Sequence, residues 1–285
     1  MAGEDHSVVY EKAGISEMKK KLIKILVIFL WVMLIGSFIV LLGFTNWEHN
    51  NLGCKTYIIR IDYGNADTLV TKADVYNLVK KTGNRLKGQL IGDIDLEAIE
   101  RAIRHQPYIA HAEVFLTMDG VVEINLLQRQ PILRIFNQKG ESFYLDGLGH
   151  LLPLNPAFSA RVLVATGFID EPFSKKANYL QDSIQKKDSA EYRSVMINLY
   201  KMATYIIKDK FLRVQIEQID VDKLGEFELI PRVGNHIIVF GTAENMENKF
   251  ERLFAFYKYG LSRTGWSRYN VINIKFRNQV VCSKI

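Results

Sequence analysis

From Ile25 to Phe44 the chain is apolar apart from Ser37, twenty positions with no charge and no proline. As a helix rising about 1.5 Å per residue, such a run measures about 30 Å, the hydrocarbon thickness of a bilayer. Trp31, Phe29, Phe38 and the leucines leave no polar face, which fits lipid better than a protein core. The pattern predicts a transmembrane helix over residues 22–45, preceded by a tail, residues 1–21, that has no apolar rhythm of its own.

Downstream, the apolar positions fall into short runs. Tyr57 to Tyr63 has strand composition and ends at the turn signal Gly64-Asn65. Thr71-Lys72-Ala73-Asp74 has the hydroxyl and carboxylate of a capping box, and Val75, Leu78 and Val79 follow at helical spacing. Asp95 starts a second helix through Leu96, Ile99 and Ile103, which Pro107 closes. Ile109 to Leu116 and Val121 to Leu127 read as strands joined at Asp119-Gly120, a hairpin signal. The first module, residues 55–129, is therefore β-α-α-β-β, with both helices expected on one face of a three-stranded sheet.

Gln128-Arg129-Gln130-Pro131 breaks the pattern and opens a second module, residues 130–285. A hairpin is predicted from Ile132 to Phe136 and Ser142 to Leu145. A turn at Asp146 to His150 follows, then a strand from Val162 to Thr166 that stops at Gly167. Ser174 to Asp188 reads as polar and either looped or loosely helical, and Tyr192 to Ile207 as a helix. Short strands are predicted near Val214–Val221, Phe227–Pro231 and His236–Phe240. A helix from Ala243 to Leu261 precedes one closing strand from Tyr269 into Val281. The fold class is α+β: one N-terminal transmembrane helix, a β-α-α-β-β module, and a mixed, mostly antiparallel β domain with two helices.

Charge fixes an orientation for the anchor. Lys19, Lys20, Lys21 and Lys24 stand before the apolar run, Lys55 is the first base after it, and Trp47 falls at headgroup depth. That asymmetry keeps the N-terminus in the cytoplasm and exports the rest. A cleaved signal would need a shorter apolar core and small residues at the cleavage site, where Gly43-Phe44-Thr45-Asn46-Trp47 is bulky. The net charge of +6 is spread among acids, so it describes a solvated surface rather than a nucleic-acid site. Two cysteines, Cys54 and Cys282, make no disulfide framework and read as packing residues, one bridge between them being the lesser option.

Candidate chemistry is sparse. The histidines follow no metal-ligand spacing, no Gly-x-Ser-x-Gly elbow occurs, and no glycine-rich phosphate cradle is present. Asp93 and Asp95 are helix-start residues and Asp146 a turn residue. No catalytic group, cofactor or metal is expected, which points to binding or scaffolding.

Several segments carry a resemblance. Pro107-Tyr108-Ile109-Ala110-His111-Ala112-Glu113-Val114, the boundary Arg129-Gln130-Pro131, and Phe143-Tyr144-Leu145-Asp146-Gly147-Leu148-Gly149 through Pro153 follow a familiar order. Val239-Phe240-Gly241 with Lys249, and Ile272 to Val281, complete it. Together they resemble the FtsQ/DivIB bacterial cell-division family, whose exported part is a POTRA module followed by a β domain. The chain departs at Asn273, Lys275 and Phe276, where relatives more often carry aspartate, arginine and tyrosine. It departs again at Gly225-Glu226, where relatives tend to carry a base that pairs with an acidic partner.

The resemblance implies a non-enzymatic scaffold at the division septum that recruits divisome membrane proteins, chiefly FtsB/FtsL-like coiled-coil proteins. A closing strand at a sheet edge can accept an incoming strand, so Lys275, Phe276, Arg277, Asn278, Gln279, Val280 and Val281 are the expected partner-binding residues. The alternative is a membrane-tethered envelope enzyme acting on peptidoglycan, which requires a cleft with converging titratable groups. An outer-membrane assembly factor fits less well, because one module stands alone with no barrel-length series of strands.

Overall fold

The computed structural model describes Lys24 and residues 26–40, 52–173, Leu180 and 194–284. Residues 26–40 form helix α1 and every one of them is exposed. No helix among the described residues is long and apolar enough to cross a membrane. The ends of the predicted anchor, with Lys19, Lys20, Lys21 and Trp47, lie outside the described residues, as does most of the predicted polar stretch from Ser174 to Asp188.

The chain divides into two compact units. One takes the described residues up to Ile58 with 84–95 and 116–122; the other takes 59–83, 96–115 and the described residues from 123 onward. In the first, Cys54 donates its N–H to Gln89 O and accepts from Gly88 N, both at 2.8 Å, while Lys55 N reaches Gly120 O at 2.9 Å. Gln89 ties this segment with its own side chain, accepting from Arg85 N and donating to Asp93 O. Cys54 is buried and Cys282 partly buried, and both are free thiols.

The predicted β-α-α-β-β order is present: β1 (Thr56–Asp62), α2 (Lys72–Lys81), α3 (Leu96–Arg104), β2 (Ile109–Leu116) and β3 (Val121–Gln128), with the strands ordered β1-β3-β2. α2 starts where its sequence says it should. Thr71 Oγ1 accepts from Asp74 N at 3.2 Å, and Asp74 Oδ2 accepts from Thr71 N at 2.9 Å, so two orphan amides are satisfied reciprocally. Val122, Ile124 and Leu126 alternate into the core from β3, and Val75, Val79, Ile99 and Ile103 are the buried helix positions.

Nine strands make the second sheet: β4 (Pro131–Phe136), β5 (Ser142–Asp146), β6 (Leu151–Leu152), β7 (Leu163–Gly167), β8 (Ile216–Val221), β9 (Phe227–Pro231), β10 (Ile237–Gly241), β11 (Tyr269–Asn273) and β12 (Val281–Lys284). Their spatial order is β12-β11-β10-β9-β8-β7-β4-β5-β6. Three neighbouring pairs, β4/β7, β7/β8 and β10/β11, are parallel and the others antiparallel. Parallel neighbours cannot be joined by a tight turn and need a crossover. That requirement explains the main helices. α4 (Val195–Lys208) lies in the chain between β7 and β8, and α6 (Met246–Ala255) between β10 and β11. Each inserts an apolar stripe, including Leu199, Met202 and Ile206 from α4 and Phe250 and Leu253 from α6, into one core with Phe143, Phe227 and Phe240.

Three expectations change. The closing strand from Tyr269 to Val281 is two antiparallel strands, β11 and β12, with a turn between them. Asn278 sits there at φ +60°, a left-handed conformation that asparagine tolerates and that reverses the chain. Val214 belongs to a short helix, α5 (Leu212–Gln215), because Asp209 Oδ1 accepts from both Phe211 N and Leu212 N at 2.8 Å. The helix expected from Ala243 begins at Met246, after Asn245 at φ +49°. It passes into a π-helical segment, Phe256–Leu261, and ends in α7 (Ser262–Thr264). The β domain thus carries these shorter helical pieces besides the two that sequence predicts.

Candidate functional site

The β11–β12 hairpin is fixed at its root and bare at its tip. Ile274 is fully buried; its N–H donates to Val239 O at 3.0 Å and its carbonyl accepts from Arg252 Nη2 at 2.9 Å. Asn273 Oδ1 accepts from Lys275 N at 3.0 Å, which starts the turn. Val280 and Cys282 pack partly against the main core, and the residues between Lys275 and Gln279 are exposed. Phe276 is 46% exposed and Val281 45%, values that leave two apolar side chains in solvent beside an open edge.

Lys275 is the exception among these exposed residues. Its Nζ lies 2.6 Å from the carboxylate of Glu226, the residue just before β9. Its aliphatic stem passes over Gly241, which ends β10 at φ +73°; a Cβ there would sit 2.8 Å from Lys275 Cγ. Glycine at that position satisfies both the backbone conformation and the close approach. Nearby, Lys249 is buried, donates to Thr242 O at 2.7 Å and lies 5.0 Å over the Phe240 ring. Burial, reinforced by Arg252, lowers its pKa.

Of the predicted partner-binding residues, only Val281 lies within a strand. Lys275, Phe276, Arg277, Asn278, Gln279 and Val280 lie in or beside the turn. The edge itself is β12, paired among the described residues on one side only, in the register Asn273↔Val281, Ile272↔Cys282 and Val271↔Ser283. Sequence reasoning missed the Lys275–Glu226 pair because the two residues stand 49 apart and lie on different elements. The available signal was the acid at Glu226, where the resemblance expects a base.

Asp146, His150 and His236 are held by hydrogen bonds within the fold. Asp146 is 2% exposed; its Oδ1 accepts from Leu148 N and His150 N, and its Oδ2 lies 3.0 Å from Arg129 Nη1. Arg129 Nη1 is also 2.9 Å from His150 Nδ1. His236 is buried against Tyr257 OH at 2.8 Å, and its pKa is lowered by burial. His6 and His49 lie outside the described residues. Among the described residues no cluster of histidine, cysteine, aspartate or glutamate could hold a metal ion.

Two family matches cover nearly the whole of this architecture. A POTRA-like domain matches residues 53–127, and the family described as "FtsQ/DivIB, C-terminal related" matches residues 130–283, more than half of the chain. No match was found among curated proteins. The boundary between the matched regions coincides with Gln128-Arg129, where β3 ends and the nine-stranded sheet begins. The chain belongs to the FtsQ/DivIB family of cell-division scaffold proteins.

Proposed function

We propose that this protein is a non-enzymatic, membrane-anchored divisome scaffold. In this reading it recruits and links FtsB/FtsL-like coiled-coil proteins at the septum by accepting a strand beside β12. Its anchor is the helix that includes α1, with the N-terminus in the cytoplasm and the two modules on the far side. The exposed apolar side chains all along residues 26–40 support a lipid environment, since such a helix in water leaves its whole apolar surface uncovered.

One observation carries the docking proposal. β12 is the outermost strand of a nine-stranded sheet, its outer edge has no neighbour among the described residues, and exposed Phe276 and Val281 lie in the hairpin at that edge. An edge of this kind supplies main-chain donors and acceptors, while flanking apolar side chains give register. With Lys275 already paired to Glu226, backbone pairing and apolar contact are left as the main attraction.

The test is a pull-down of the full chain with an FtsB-like partner. Phe276→Ala and Val281→Asp change exposed side chains, so circular dichroism is expected to match the parent while the partner is lost. Retention of the partner by both variants at parental levels removes β12 as the docking edge.

A further inference from the structure

A cleft of about 700 Å³ lies where the turn after β1 meets the beginnings of β4, β7 and β8. Its floor is apolar, from Ile132, Leu163 and Ile216, and three arginines line it: Arg161, Arg213 and Arg232. All three are exposed, and none forms an ion pair with a described carboxylate. Asp67 and Glu217 also line the cleft, with Asp67 Oδ2 accepting the backbone N–H of Arg161 at 2.7 Å, so three guanidinium groups face two carboxylates and positive charge predominates. Unpaired like charges held together repel, and an anionic occupant removes that repulsion.

The walls are fixed in advance. Gln128, 1% exposed, accepts from Leu69 N and Val70 N through Oε1 and donates to Asp67 O through Nε2. Gln130 Nε2 donates to Tyr63 O at 2.8 Å, and Asn155 Nδ2 to Leu69 O at 2.7 Å. The loop that forms one wall is therefore already ordered, and binding need not supply that ordering.

We infer that this cleft is a second docking site, for an acidic segment with apolar side chains from a partner protein. The arginines come from three separate segments, the residues just before β7, helix α5 and the residue just after β9, which suits an extended polyanion rather than one small anion. The apolar floor lies within a concavity, so it suits inserted side chains and is out of reach of a flat headgroup layer. This inference does not depend on the β12 edge.

The experiment uses the full chain in detergent with a fluorescent synthetic peptide of alternating glutamate and leucine, followed by anisotropy. Saturable binding is expected, weakened about tenfold or more by Arg213→Glu with Arg232→Glu. Val162→Trp, which narrows the cleft without changing charge, is expected to weaken it as well. Arg263→Glu with Lys258→Glu, reversed at exposed positions outside the cleft, and Phe276→Ala at the hairpin are expected to leave it unchanged. The inference is overturned if the cleft variants bind like the parent, or if reversal at Arg263 and Lys258 weakens binding equally. Equal binding of a lysine–leucine peptide, or competition by phosphatidylglycerol vesicles that depends on the same arginines, overturns it too.

Discussion

The module boundary and the β11–β12 hairpin both contain charged residues, yet they handle them in opposite ways. At the boundary, Asp146 and Arg129 are sequestered, with side chains 3% and 17% exposed, and Asp146 uses both carboxylate oxygens. At the hairpin, Lys275 and Glu226 are 41% and 21% exposed, and the residues beyond them are open. A buried charge must be fully paired because desolvation is costly, whereas an exposed pair remains exchangeable. The boundary thus gives the β domain a fixed shape, and the hairpin keeps backbone and apolar groups free for another molecule.

The largest expected effect tests the first half of that contrast. Asp146→Ala leaves Arg129 uncompensated and strips two backbone amides of their acceptor, so urea unfolding should show a loss of about 3–5 kcal/mol. A loss below about 1 kcal/mol would place the boundary in the same class as the surface pair. His236, two residues into the segment that leads from Gly234 into β10, gives an intermediate effect. Burial holds its pKa below 6.5 in the folded state, so the unfolded chain binds more protons as the medium acidifies. Stability present above pH 6.5 is then lost as pH falls toward the depressed value, with a slope of at most about 1.4 kcal/mol per pH unit. Comparison of the parent with His236→Gln across that window isolates this slope; identical profiles would refute it. The smallest effect belongs to the hairpin. A double-mutant cycle with Glu226→Ala and Lys275→Ala is expected to give a coupling of about 0.5 kcal/mol, reduced further by salt. A coupling of several kcal/mol would make that pair a second boundary rather than its counterpart.

Local chemistry was readable from the residues. The Thr71–Asp74 capping box, the Asp119-Gly120 hairpin and the hairpin around Lys139-Gly140 each rest on a few neighbouring positions, and each forms as expected. The hairpin that replaces the predicted closing strand was hidden because its reversal uses Asn278 rather than glycine, amid residues with strand composition. The Arg129–Asp146–His150 group and the Lys275–Glu226 pair were hidden for a different reason. Each joins residues from separate elements, and periodicity reports only which way a side chain faces. The arginine cleft is of the same kind, since Arg161, Arg213 and Arg232 come together because β7 and β8 begin, and β9 ends, at one end of the sheet.

Gln128 grips the 67–70 loop through both ends of one amide, so the loop cannot slide without breaking several short links together. Tension entering through the first module would load those links in parallel rather than one by one. Asn155 and Arg161 of the second module hold the same loop through Leu69 O and Asp67 Oδ2, so force that reaches the loop passes on into the β domain without a slack joint.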